Sequence, residues 1–194
     1  MSPLSNVQFS RVTEMEVAKL LTFGSHGLLE VMLPLSDDER RDIETHLKEH
    51  FRLSLAMQVK ARHVLTHRNR ADLLVIRFDE KRERLITDPF FWYFFGFMDV
   101  DTMQYRPPVF PMPSEVVHRE ADPRAHGDIV RFTFAASMDR HSRDRYRAYA
   151  CEPAEVAERI VKFLRKQRWR RRASGLVFPS LVEKPGTILV ARAA

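Results

Sequence analysis

Cysteine is nearly missing from this chain. Cys151 is the only one, so no disulfide can close within the molecule and a cysteine-based zinc site is excluded. A reducing compartment suits such a chain, and the expected location is the cytoplasm. Long apolar runs are missing as well: nothing approaches the roughly 18 residues of a membrane-spanning helix. The opening MSPLSNVQFSRVTEM lacks the basic-then-apolar layout of a secretory signal. No Walker loop, GxGxxG or GxSxG occurs, so motif-borne nucleotide hydrolysis and serine-hydrolase chemistry have no support and no cofactor is implied. Acids, finally, are missing between Arg159 and Gly175.

What fills that acid-free stretch is the chain's most uneven segment, PAEVAERIVKFLRKQRWRRRAS over 153–174. Val156, Ala157, Ile160, Val161 and Leu164 fall at helical spacing and predict a core-facing stripe, opened by Glu152-Pro153 and stopped by Ser174-Gly175. Beyond Leu164 the stripe runs into Gln167, Arg168 and Arg171. The last two turns carry Arg165, Lys166, Arg168, Arg170, Arg171 and Arg172 around Trp169, a combination that grips phosphate and can stack on a base. Cations near a helix C-terminus are also favoured by the macrodipole at about 0.3–1 kcal/mol each, but Arg170-Arg171-Arg172 repel one another by more than that offsets. The whole chain carries a formal net charge of +6 with 25 Arg against 7 Lys. Codon bias alone enriches arginine, so the clustering carries the argument.

The rest predicts an α+β fold, an antiparallel meander and hairpins packed with three to four helices. With 194 residues, 44% of them hydrophobic, the chain is long enough for one domain with its own core. A short strand over 6–9 leads to a helix from Thr13 to Leu21 that Gly24 ends. Ser36-Asp37-Asp38-Glu39 reads as a capping box opening a helix through Ile43 and Leu47 to about His50. From Ala56 the period changes to two, and 56–87 reads as a three-stranded meander with turns at 68–70 and 79–82. Asp88-Pro89 resembles a helix start, and Phe90-Phe91-Trp92-Tyr93-Phe94-Phe95-Gly96-Phe97-Met98 is apolar all round: a buried helix or strand, or an element docking on another chain. Residues 99–127 hold five prolines and read as a long loop, a seam between sub-lobes 1–98 and 128–194. Ile129–Met138 and Arg145–Cys151 predict a hairpin whose outer face would gather Arg131, Arg145, Arg147 and Tyr149. Leu176–Val182 and Thr187–Arg192 predict a closing hairpin.

Chemistry is harder to place. His46 and His50 are four apart on the predicted helix with Glu49 beside them, but Leu47 stands where a zincin motif has Glu, and no metal site is assigned. Asp37-Asp38 reads as a helix start; Asp99, Asp101 and Glu115 are the acids to inspect first. A metal-independent ribonuclease needs only a His or Tyr base and a cation, and His63, His67, His118, His126 and His141 all lie near arginines. The reading is a nucleic-acid-binding protein, RNA favoured over DNA and more plausibly a binder than an enzyme. It would contact phosphates through Arg165, Lys166, Arg168, Trp169, Arg170, Arg171 and Arg172, with Arg145 and Arg147 in support, alone or within a larger assembly. Two alternatives stand beside it: a protein-interaction subunit docking through Phe90, Phe91, Trp92, Phe94 and Phe95, and the ribonuclease. Nothing in the sequence sets the oligomeric state.

Overall fold

Ser5 accepts a hydrogen bond from the amide of Gln8 while the Gln8 side chain accepts from the amide of Ser5, and this capping box starts α1 (Asn6–Gly24) in a computed structural model. The structure describes residues 5–35, 40–68 and 71–173, with the backbone alone for 169–173. Along the chain follow β1 (Leu29–Met32), β2 (Ile43–Leu47), β3 (Ser54–Arg62), β4 (Thr66–Arg68), β5 (Ala71–Lys81), β6 (Phe91–Asp99), β7 (Gln104–Pro113), α2 (Ser114–Glu120), β8 (Arg124–His126), β9 (Ile129–Ser137) and α3 (Val156–Ala173). The strands form two sheets, β1-β2-β3-β6-β7 and β4-β5-β9-β8. β3 and β6 run parallel, while the other neighbouring pairs are antiparallel. The fold is mixed α+β, with three α-helices among the described residues.

The aromatic run explains the layering. As strand β6 it sends Trp92, Phe94 and Met98 into one core with α1, α3, β2 and β3, and Phe91, Tyr93, Phe95 and Phe97 into a second core with β5, β7 and β9. A strand covered on both faces must be apolar on both, which is why no period shows in its sequence. Each large side chain buried there contributes about 1.5–3 kcal/mol. Phe95 stacks on Phe134 with ring centroids 4.1 Å apart. Gly96 lies where the β6–β7 register shifts, and a Cβ there would stand 2.5 Å from the Tyr105 ring. The result is a helix layer, the five-stranded sheet and the four-stranded sheet, stacked in that order.

Several expectations are corrected. The apolar spacing of Ile43 and Leu47 fits a helix, yet 43–47 is strand, held between β1 and β3; the capping box at 36–39 lies outside the described residues. Strands form at 54–62 and 71–81, but they join different sheets and no meander links them, while 82–84 is a short 3-10 turn. β9 pairs with β5 and β8, not with 145–151, where a turn and the 3-10 segment Arg147–Tyr149 bury Tyr146. The proline-rich 99–127 is no loop: β7 carries four of its prolines on the sheet edge, followed by α2 and β8. Both cores draw on residues before 99 and after 127. The predicted hairpin at 176–192 lies outside the described residues.

Candidate active-site cleft

The cleft begins with an acid fixed by backbone. Asp42, just ahead of β2, accepts a 2.6 Å hydrogen bond from the Val59 amide through its carboxylate, and its own amide donates to the Met57 carbonyl at 3.0 Å. These bonds tie the entry of β2 to the middle of β3. The period of two then puts Gln58 and Lys60 on one side of β3, opposite the side on which Met57 and Val59 enter the helix-layer core. Gln58 is buried, and the Lys60 ammonium sits over the Phe78 ring at 5.4 Å.

Helix α1 lines the same cleft. Glu14 is buried and takes Ser10 Oγ at 3.0 Å and Arg11 Nη1 at 2.8 Å. Tyr105 Oη donates to the Thr13 carbonyl beneath it at 3.1 Å. Burial pushes the Tyr105 hydroxyl well up, and the neighbouring Glu16, Glu14 and Asp42 charges add to that, so it stays a neutral donor. Arg40, with a left-handed φ of 53°, ion-pairs with the buried Glu80 and donates to the Asp79 carbonyl at 3.2 Å. Together Ser10, Arg11, Glu14, Arg40, Arg41, Asp42, Gln58, Lys60 and Arg84 line a cleft of about 540 Å³.

Two carboxylates facing a lysine and four arginines in one concavity is the constellation a phosphodiester needs. The donor set is hard oxygen: Glu14, Asp42 and the Gln58 amide carbonyl, with neither His nor Cys on the wall among the described residues. Among those residues no group of three or more His, Cys, Asp and Glu could hold a metal by itself. Two carboxylates and an amide oxygen are a donor set that suits magnesium, which is held by one or two carboxylates with water and substrate phosphate completing the shell.

The residues singled out from sequence lie elsewhere. Arg165 and Lys166 are exposed on α3 and Arg168 is half-buried; none lines the cleft. The side chains of Trp169, Arg170, Arg171 and Arg172 lie outside the described residues. Arg145 stacks over the Tyr146 ring at 5.2 Å and Arg147 sits in a 3-10 turn, so neither belongs to a basic strand. Phe91, Trp92, Phe94 and Phe95 are buried and Phe90 packs against Phe163, so the run is core and offers no docking face. Asp99 caps a turn by accepting from the amides of Asp101 and Thr102, and Glu115 sits in the first turn of α2. His46 bonds Glu30 at 2.8 Å across the β1–β2 pair, on a strand, so its spacing to His50 is not that of a helix face. His118, clamped between Tyr93 Oη at 3.0 Å and Thr87 Oγ1 at 2.7 Å, is held neutral by burial with a pKa of about 4. Burial likewise pushes the Cys151 thiol up to about 12, which makes it inert at neutral pH.

No protein-family model matches the chain, and no curated protein matches it in sequence. Among solved structures, a bacterial homing endonuclease, I-Ssp6803I, superposes with a TM-score of 0.51 at 14% sequence identity, over 87% of this chain and 99% of that one. The likeness is one of fold.

Proposed function

We propose that this protein is a metal-assisted nuclease that binds duplex DNA and hydrolyses a phosphodiester in the cleft between α1 and β3. The observation that carries this reading is the convergence of Glu14, Asp42, Gln58 and Lys60, from three separate elements, on one concave wall rimmed by Arg11, Arg40, Arg41 and Arg84. The fold of I-Ssp6803I, named as an endonuclease, supports it. DNA is preferred to RNA for a chemical reason. RNA carries its own nucleophile and needs only a base and a cation, whereas DNA requires an activated water, and the cleft has carboxylates where a ribonuclease would have a histidine.

Each residue has a task. Glu14 and Asp42 would hold a magnesium ion, which when bound polarises the phosphoryl oxygen and acidifies a water. Asp42 is kept in place for this by the Val59 amide. Lys60 offsets the negative charge that builds on the phosphoryl oxygens, and the ring of Phe78 beneath limits where its ammonium can go. The Gln58 amide can orient the attacking water. Arg40, braced by Glu80, grips a flanking phosphate.

The test is incubation of supercoiled plasmid with the purified chain. Nicked or linear product with magnesium, abolished by EDTA, is the expected result. Intact plasmid with both magnesium and manganese, or cleavage undiminished in EDTA, overturns it.

A further inference from the structure

Opposite the aromatic core, the four-stranded sheet has a second face with no layer over it among the described residues. On β5, Leu74, Ile76 and Phe78 point into the core, so Val75, Arg77, Asp79 and Lys81 point out. The register sets Thr133 beside Arg77, Arg131 beside Asp79 and Arg124 beside Arg131. Asp79 is the only acid at the outward positions of β5, β8 and β9, and Arg131 holds it bidentately at 2.7 and 2.8 Å, which pulls its carboxyl below the usual range. That pair makes a flat, neutral ridge across the sheet. On one side stands Arg77, which forms no ion pair among the described residues; on the others stand Lys81 and Arg124, whose acids Glu83 and Asp122 lie off the sheet. On the Arg77 side of the ridge the small side chains of Thr133, Ala135 and Ser137 stand opposite Arg77, Val75 and Leu73.

The cleft touches the inward side of β5, where Lys60 lies over Phe78 and Arg40 pairs with Glu80, and it meets this face at the edge of β5 beyond Leu73, where the pairing with β4 ends. There Arg40 reaches the backbone of Asp79, and three residues past Lys81 the chain returns Arg84 to the cleft lining. At the ~3.3 Å rise of a strand, Arg77 and Lys81 stand about 13 Å apart along β5, a reach of several phosphates on one strand of a duplex.

We infer that the outward face of β5, β9 and β8, through Arg77, Lys81 and Arg124, is the surface on which duplex DNA lies as it enters the cleft. This rests on the nuclease reading above, and supplies the binding surface that the cleft alone is too small to provide. Phosphate contacts there set affinity and its salt dependence; the cleft sets the chemistry.

The experiment measures binding of a fluorescent 40-base-pair duplex in EDTA across a salt series, for wild type and the triple variant Arg77→Ala/Lys81→Ala/Arg124→Ala, with thermal unfolding confirming that each is folded. The single variant Arg77→Glu, at an exposed position, guards against a triple variant that does not fold. Wild type should bind with a steep salt slope. The triple variant should bind at least about tenfold more weakly at 0.1 M salt, with a slope shallower by about 0.9 for each lost contact, and Arg77→Glu should move in the same direction. Wild type binding with a slope and affinity unchanged in the triple variant and in Arg77→Glu overturns the face while leaving the nuclease reading intact. No duplex binding by wild type at low salt overturns both.

Discussion

Lys60 and His118 both rest against aromatic rings, but their surroundings set them to different work. Lys60 lies over Phe78 with its ammonium at the cleft, whereas His118 stacks on Phe132 and has both ring nitrogens paired, to Tyr93 and Thr87. Burial lowers the His118 pKa from 6.5 to about 4. The unfolded chain therefore takes up that proton before the folded one does. Stability contributed by the neutral ring is whole above about pH 6.5, declines as pH falls toward about 4, and loses no more below that. The melting temperature of wild type should accordingly fall more between pH 7.5 and 4.5 than that of His118→Gln, so that a gap seen at neutral pH closes in acid. Parallel curves would contradict the assignment. At this scale little of the site was legible. Asp42, Gln58 and Lys60 are single polar residues without a motif, and Asp42 followed so close on the Ser36–Glu39 capping signal that it read as helix. The bonds that make it a site residue come from β3, seventeen positions away.

Among the elements, β6 shows what local pattern can and cannot tell. Its nine residues announce burial through composition alone, yet their choice between helix, strand and docking surface was made by β3 and β7 pairing on either side. Because Phe95 is fully buried and stacked on Phe134, Phe95→Ala should cost about 3–5 kcal/mol in denaturant unfolding, whereas truncating a partner-docking residue would leave the isolated chain as stable as before. Helix α3 was legible over its first half, since Val156, Ala157, Ile160, Val161 and Leu164 all enter the helix-layer core. The strand β2 was not, because a spacing of four between two apolar residues suits one helix turn and also, with Thr45 between, a strand buried on one face; the neighbours decided. Arg131 does face away from the core, but it pairs with Asp79, and its neighbours are Arg77 and Arg124 and not Arg145 and Arg147, fixed by a β5–β9 register that spans some fifty residues of sequence and that no local signal encodes.

For the molecule as a whole, β6 contributes side chains to both cores, and both cores use residues from before 99 and after 127. Neither half can hold its core without the other, so unfolding should be a single cooperative event, with far-ultraviolet dichroism and tryptophan fluorescence tracing coincident urea curves. Two separated transitions would restore the picture of two sub-lobes. The same architecture gathers four arginines at the rim of the cleft, while the acids Glu14 and Asp42 line it together with Lys60.

That placement is the central claim, and single-turnover cleavage with protein in excess over a DNA duplex tests it most directly, comparing wild type with Asp42→Asn and Lys60→Ala after Kd has been measured for each in EDTA. Loss of about 10²-fold or more in rate for both variants, with affinity within a few fold of wild type, is the predicted result. Equal rates for wild type and Asp42→Asn would contradict the account and remove the cleft from the chemistry.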